Sequence, residues 1–492
     1  MPARTVVIGV DSSTQSATAV LIDPATGKTL ATGRAPHTVT GEAGARESDP
    51  DQWWRALREA VAAGLARTGV RPSAVTGIAV AGQQHGLVVL DRAGRPARPA
   101  LLWNDTRSAP QAAALTRALG GPDVWTARTG SVPVASVTAT KWQWLREHEP
   151  RTADAAAAVR LPHDYLTERL CGTAATDPGD ASGTGWYATS TGAYDPEILR
   201  LIGLDPALLP EPAAGGGTRV GSLTRAAATA LGLPAGIAVA AGTGDNMAAA
   251  VGLGLGGTGL LDHPVLGLGT SGTVFAATRA RPVSPALSGF AATDGTYLPL
   301  GCTLNCTLAV DRIAALLGLD REAAEPGGEA VLLPYLDGER TPDLPAAAGL
   351  LTGLRHTTSG RQILGAAYEG AVVTVLRVLD EVLRSCGLDP AAPATAGAPL
   401  RLVGGGARGR FWVETVRRLS GRPLLVPRAA EPVATGAAAL AAAAATGEDP
   451  VAAAVRWGAG QGRELPPVER DTETWERVSG VLERARPGLL GE

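Results

Sequence analysis

Apolar and polar positions along this chain switch between a period of two and a period near 3.6, and each switch marks an element. The β-branched run at 5–10, "TVVIGV", predicts a strand; "SATAVLID" predicts a second and "TLATGRA" a third, with the turn "DPATGK" between these two. The three form a meander whose first corner, Asp11 to Gln15, is polar. "ESDPDQWWRALREAVAAGLA" then takes the helical period: Ser48 or Asp49 caps it, Pro50 suits its first turn, and Trp54, Leu57 and Val61 recur on one face. "VTGIAVAG" at 75–82 reads as a buried strand ending at Gln83, Gln84, His85 and Gly86. "LVVLDRAGRPARPALLWND" predicts a hairpin that ends at Trp103, Asn104 and Asp105. Residues 108–235 read as mixed helix and loop, with "EPAAGGGTRVGS" as a loop or linker.

Further on, an apolar run ends in Gly242, Thr243 and Gly244, and Asp245 and Asn246 stand just before an alanine-rich helix. Two more glycine corners follow strands, in "LGLGTSGTVFAAT" at 266–278 and "RLVGGGARGRFWVETVRRLS" at 401–420. Alanine-rich stretches at 435–446 and 451–457 predict packing helices. The corner at Gly9–Thr14 and that at Gly267–Gly272 share a plan: apolar strand, small hydroxyl-rich turn, second strand. Half a chain apart, they suggest two similar domains presenting similar corners to one ligand.

At 492 residues the chain exceeds one ordinary core, so two large domains are expected, here divided as 1–244 and 245–492. A net charge of −3 gives no electrostatic case for nucleic acid or an acidic membrane surface. No segment offers about 20 uninterrupted apolar residues for a membrane span, and the N-terminus does not read as a signal peptide. Four cysteines are too sparse for a disulfide framework and fit a reducing cytoplasm; Cys302 and Cys306 would lie one turn apart on a helix, as buried apolar thiols.

"GKT" at 27–29 is no phosphate loop, because the first glycine of that motif would fall at Ile22. "GGGARG" at 404–409 matches the dinucleotide fingerprint between a strand and a helix, with Glu431 some distance beyond, so a dinucleotide-binding oxidoreductase is a rival reading. Too little chain follows for the remaining strands of that fold. At the other corners, Asp11 and its hydroxyl neighbours offer donors to phosphate oxygens and a carboxylate to a hydrated Mg²⁺, while "GTSGT" at 269–273 can form a nest of backbone N–H groups. Three such corners without a lysine loop fit an α/β, actin-like ATPase in which two related domains close over a nucleotide. Gln84, His85, Trp103 and Asp105 supply the amide, imidazole, aromatic face and carboxylate that a polyhydroxylated ligand needs.

The chain resembles the FGGY carbohydrate kinases. One pattern of that family is met by Ser136, Thr138, Lys141, Trp142, Trp144, Leu145, Glu147 and His148, and a second by "GLLTGLRHTTSGRQILGAAYE" from Gly349 to Glu369. "DPDQWW", "AGQQHG", "LLWND", "LPHDYL", "GDN", "LGTSG", "LPYLDGERTP" and "GGGAR" occur in the order of the branch that acts on D-xylulose. The resemblance implies two ribonuclease-H-like domains around a catalytic cleft, with sugar held mainly by the first and ATP by the second. It implies Asp245 as general base and Gln84, His85, Trp103, Asp105 and Asn246 around the sugar; Gln84 stands where many relatives have methionine. Asp11, Ser13 and Thr14 match the first phosphate corner, Thr270 the second, and Gly405 and Gly406 the adenosine corner. Lys141 and Trp142 are expected to be structural. Mg²⁺ would be met by Asp11 through water, and the helix dipole is expected to keep Asp245 ionised. The implied reaction is phosphorylation of D-xylulose to D-xylulose 5-phosphate in the cytoplasm by a possible homodimer. The alternatives are a kinase of the same family for ribulose, gluconate, glycerol or a deoxyketose, and a non-catalytic actin-like switch.

Overall fold

The computed structural model describes residues 5–256, 264–344, 346–428 and 430–489. The β-branched N-terminal runs form the meander β1 (Val6–Ser12), β2 (Ser16–Ile22) and β3 (Thr29–Pro36). Helix α1 (Pro50–Thr68) follows, its first turn capped by the Asp49 carboxylate, with Trp53, Leu57 and Val61 on the buried face. β4 (Val75–Gly82) then enters parallel to β1. Helices α2 (Thr138–His148) and α3 (Pro162–Cys171) lie in the mixed region. β5 (Arg219–Ser222), β6 (Ala238–Ala240) and β7 (Thr243–Gly244) complete a seven-stranded sheet ordered β5-β6-β4-β1-β2-β3, with β7 also pairing with β4.

Helix α4 (Asp245–Gly252) leads into the second half. There β8 (Val265–Leu268) and β9 (Gly272–Phe275) form a hairpin, followed by β10 (Ser288–Ala291) and β11 (Tyr297–Thr303). Helix α5 (Gly360–Ser385), β12 (Leu400–Val403), β13 (Leu424–Pro427), helix α6 (Pro432–Thr446) and β14 (Gly462–Leu465) follow. The second sheet runs β10-β11-β9-β8-β12-β13-β14. Both sheets follow one plan: antiparallel pairings on one side of the lead strand, two in the first sheet and three in the second, then two parallel pairings and an antiparallel edge on the other. The echo between the two hydroxyl corners is therefore an echo of whole α/β domains, each of the ribonuclease-H-like, actin-like ATPase kind.

Helix α5 is long and apolar enough to cross a membrane by composition, yet it is the core of the second half, where Leu364, Tyr368, Val372 and Val382 are fully enclosed. Ser359 and Gln362 close its N-terminus as a reciprocal capping box. Alanine-rich α6 packs not on its own sheet but against the first one, with Ala434, Ala438 and Ala441 against Val7, Val20 and Ala79. Small residues permit that approach. A Cβ on Gly9 would stand 2.1 Å from the Ala434 carbonyl oxygen, and one on Gly436 would stand 1.8 Å from that of Ala248 in α4.

Three expectations are corrected. Cys302 lies in β11 and Cys306 precedes the following helix, so they do not share a helix; β11 continues to Thr303, and Leu304 and Asn305 separate it from Cys306. "EPAAGGGTRVGS" is not a linker, because its end is edge strand β5, held antiparallel to β6. In the predicted hairpin, Leu87 and Leu101 do exchange backbone hydrogen bonds, but Val88–Leu90 pairs mainly with 158–160 and Ala100–Leu101 with 47–48.

Because α4 begins at Asp245, its seat on α6 is a stability and an activity determinant together. Gly436→Ala is expected to cost about 1–3 kcal/mol through overpacking. Equilibrium denaturation checks this, and an unchanged midpoint would contradict the close crossing.

Candidate active site

Parallel strands deliver their C-terminal ends to one edge of a sheet, and here those ends carry the candidate chemistry. Ser12 of β1 and Gly244 of β7 both stand opposite Gly82 of β4. The corners after these strands are Asp11–Thr14, Gln83–His85 and Asp245–Asn246, so register alone gathers them. The Gln83 N–H donates to the Ser12 carbonyl at 3.0 Å, tying two corners directly. In the second sheet Gly267 pairs with Val403, which sets the Thr270 corner beside Gly404–Gly406. A Cβ on Gly404 would lie 2.7 Å from the Leu268 carbonyl oxygen, so glycine is needed for that approach.

Asn246 donates through Nδ2 to Gln84 Oε1 at 2.7 Å, and its backbone N–H donates to Asp245 Oδ1 at 2.8 Å. His85 adopts φ of 66° and places Nδ1 2.7 Å from the Gly183 carbonyl oxygen. A carbonyl only accepts, so Nδ1 carries the proton. Burial, with Lys141 adding to it, pushes the imidazole down to about 4. The ring is then neutral near pH 7, and Nε2 is an acceptor suited to a hydroxyl. Trp103 is 44% exposed and donates from Nε1 to Thr14 Oγ1 at 3.0 Å, bridging the Trp103 corner to the Asp11–Thr14 corner.

Asp245 is only partly exposed, and burial raises its pKa to about 8, with Asp11 and then Asp180 adding repulsion. It is the first residue of α4, so the helix dipole is present, but burial and two neighbouring carboxylates outweigh it. The expectation of a fully ionised Asp245 is thus corrected. Asp11 is pushed by burial to about 6, while a 2.7 Å bond from Ser13 Oγ opposes the shift.

A cavity of about 290 Å³ opens between the halves. Gln84, His85, Trp103, Asp245 and Asn246 line it from the first half and α4; Ser271, Thr273, Phe290 and Arg340 line it from the second. The His85 and Phe290 rings face one another across it, 5.7 Å between centroids. Asp105 does not line it. Its carboxylate accepts from Arg107 at 2.6 Å and from the Arg46 N–H at 2.9 Å, and these bonds outweigh burial to keep its pKa low. That ion pair corrects its assignment to the sugar wall. Asp11, Ser13, Thr14, Thr270, Gly405 and Gly406 also lie outside this cavity's lining, at the two sheet ends beside it.

Lys141 is fully buried in α2, where its ammonium donates to the carbonyls of Ala135 (3.2 Å) and Ser136, bracing the 131–137 segment behind the cavity. Trp142 is buried in the packing of the same helix. Sequence reasoning missed a buried cluster behind Asp245. His163 in α3 bonds Asp180 at 2.6 Å and lies 3.1 Å from Asp164; Asp177 accepts from Thr243 Oγ1 at 2.8 Å, fixing β7. Burial alone would lower the His163 pKa, but Asp164, Asp180 and Asp177 together raise it to about 9. The spacing of Asp177 and Asp180, a cap and its third residue in "DPGDASG", was the available signal.

Two related domains, a neutral histidine, an amide pair and a buried carboxylate around a cavity flanked by phosphate-type corners define a sugar-phosphorylating enzyme class. The FGGY family of carbohydrate kinases matches with its N-terminal domain over residues 6–252 and its C-terminal domain over 265–445, and the chain belongs to that family. Among its relatives, the xylulose kinase of Streptomyces rubiginosus is 58% identical over 98% of this chain and 97% of that protein. That of Streptomyces coelicolor is 57% identical over the same shares. The solved xylulose kinase of Bifidobacterium adolescentis is 31% identical, with a TM-score of 0.80 over 97% of this chain and 99% of that one.

His163→Gln is expected to destabilise the protein by about 3–5 kcal/mol at pH 7, the cost of breaking a buried charge cluster. A raised histidine pKa stabilises below the unfolded value of about 6.5 and loses that contribution as pH rises through about 9. The difference in melting temperature between wild type and variant should therefore narrow from pH 7 to pH 10; a constant gap would contradict the charged cluster.

Proposed function

We propose that the protein transfers the γ-phosphoryl group of ATP to D-xylulose, giving ADP and D-xylulose 5-phosphate. The observation that carries the reading is the position of Asp245: on the cavity wall, hydrogen-bonded through Asn246 to Gln84, and electrostatically coupled to the Asp11 phosphate-type corner. The high identity to two xylulose kinases over nearly full length supports the choice of sugar.

In this reading the cavity holds the sugar. His85 Nε2 accepts from one hydroxyl, the Gln84–Asn246 pair orients others, and Trp103 packs on a carbon face. Asp245 receives the proton of the attacking hydroxyl. In a loose phosphoryl-transfer transition state that proton leaves late, and a base with a pKa near the working pH is the better acceptor. Closure of the halves excludes water, limiting hydrolysis of ATP. Thr270, Gly405 and Gly406 provide backbone donors and space on the nucleotide side. Among the described residues no group of three or more His, Cys, Asp or Glu side chains is arranged to hold a metal ion; the Mg²⁺ of this reading is carried by ATP phosphates and met by Asp11 through water. Bound there, Mg²⁺ would supply charge neutralisation on the phosphates. The free cysteines are compatible with a cytoplasmic setting.

A coupled-ADP assay across ketoses and polyols is expected to show D-xylulose as the best substrate. A better rate on glycerol or gluconate would overturn the sugar assignment, and ADP release without sugar dependence would favour a nucleotide switch. With sugar saturating, Asp245→Ala and Asp245→Asn should each lose at least ~10²-fold in kcat. Near-wild-type turnover in both would remove the general-base role. His85→Ala should instead raise the sugar KM.

A further inference from the structure

The transferring phosphoryl group is an anion, yet the cavity wall it must reach carries Asp245, with Asp11 and Asp180 close enough to repel it. A protein cation facing that group would add to the charge neutralisation that a phosphate-borne Mg²⁺ supplies. Three candidates lie near. His85 is held neutral, and Lys141 is buried behind the wall with its ammonium directed at backbone carbonyls. Arg340 remains. It is the one arginine or lysine lining the cavity among the described residues, its side chain is exposed there, and no carboxylate among them pairs with it.

Its backbone is unusually well fixed for an exposed residue. Glu339, 2% exposed, accepts through Oε1 from the N–H of Arg340 at 2.8 Å and of Leu304 at 2.5 Å. Oε2 accepts from Asn305 Nδ2 at 3.1 Å, and the same amide also donates to the Gly338 carbonyl at 2.7 Å. The segment after Asn305 is in turn bonded to the second phosphate corner: the Thr307 N–H and hydroxyl donate to the Gly269 carbonyl at 3.0 and 2.8 Å, and the Cys306 N–H donates to that of Thr270 at 3.3 Å. Glu339 thus links Arg340 to the Gly269–Ser271 corner through one short chain of hydrogen bonds.

We propose that Arg340 is a catalytic residue whose guanidinium binds the oxygens of the phosphoryl group in transit, and that Glu339 is the positioning residue that registers it with the Gly269–Ser271 corner. The bond from the sugar oxygen to phosphorus forms as the bond from phosphorus to the ADP oxygen breaks. ADP leaves with that electron pair, the hydroxyl proton passes to Asp245, and Arg340 neither gains nor loses a proton. The inference rests on phosphoryl transfer as read above, but not on which sugar receives it.

The test uses Arg340→Gln and Arg340→Lys with whichever sugar the wild type phosphorylates. Arg340→Gln is expected to lose at least ~10²-fold in kcat while the sugar KM stays within about threefold. Its affinity for the phosphorylated product, measured by calorimetry without nucleotide, should fall at least about tenfold, with affinity for the unphosphorylated sugar unchanged. Arg340→Lys should recover part of both, and guanidinium ion should partly restore Arg340→Gln. Glu339→Gln should reproduce the split between kcat and KM. Retained kcat in Arg340→Gln, or an equal loss of affinity for sugar and sugar phosphate, would overturn the proposal. A wild type inactive on D-xylulose would instead sink the sugar assignment and leave this test to run on another substrate.

Discussion

The site depends on the parallel register of β1, β4 and β7. Ser12 and Gly244 both face Gly82, so three corners far apart in sequence end at one edge of one sheet. The second sheet repeats the device with Gly267 opposite Val403. A slip in either sheet would turn the corner side chains to the opposite face and separate the cavity wall from the phosphate-type corners. Alanine-rich α6, which follows the second sheet's β13 in the chain, packs on the first sheet.

Gathering corners also gathers carboxylates. Burial and the nearness of Asp11 and Asp180 favour the neutral form of Asp245, and the dipole of α4 does not reverse this. The cluster of His163 with Asp164, Asp177 and Asp180 contains one imidazolium among three carboxyl groups, so it anchors β7 while leaving residual negative character behind Asp245. The consequence is a strong proton acceptor in a place hostile to anions. Arg340, entering from the other half, answers the same electrostatic problem from the phosphate side.

Much of this was legible in the chain. The β-branched runs, the Asp49-Pro50 helix start and the glycine corners are local signals, and local signals survive folding. Asp245, Gln84, His85, Trp103 and Asn246 were legible because strand ends bounded by glycine leave side chains at an edge. Most of what escaped was non-local, and one miss was local. Asp105 looked like a pocket acid until Arg107, two residues away, was seen to occupy it. The linker reading of 211–222 failed because an edge strand needs only one partner, β6, which nothing local announces. The charge state of Asp245 was misread, since it is set first by burial and then by Asp11 and Asp180, over 230 and over 60 positions distant. Arg340 sat in a motif that was recognised but given no role, because its meaning depends on its being the one arginine or lysine on that wall among the described residues.

The most direct measurement is a titration of the Asp245 carboxyl carbon by NMR in the ligand-free protein, assigned by its loss in a variant lacking that carboxyl. The account predicts a transition near pH 8, well above the ordinary carboxylate range. A transition near 4 would mean that Asp245 is solvated and isolated, and would contradict a cleft in which burial and crowded carboxylates create the base.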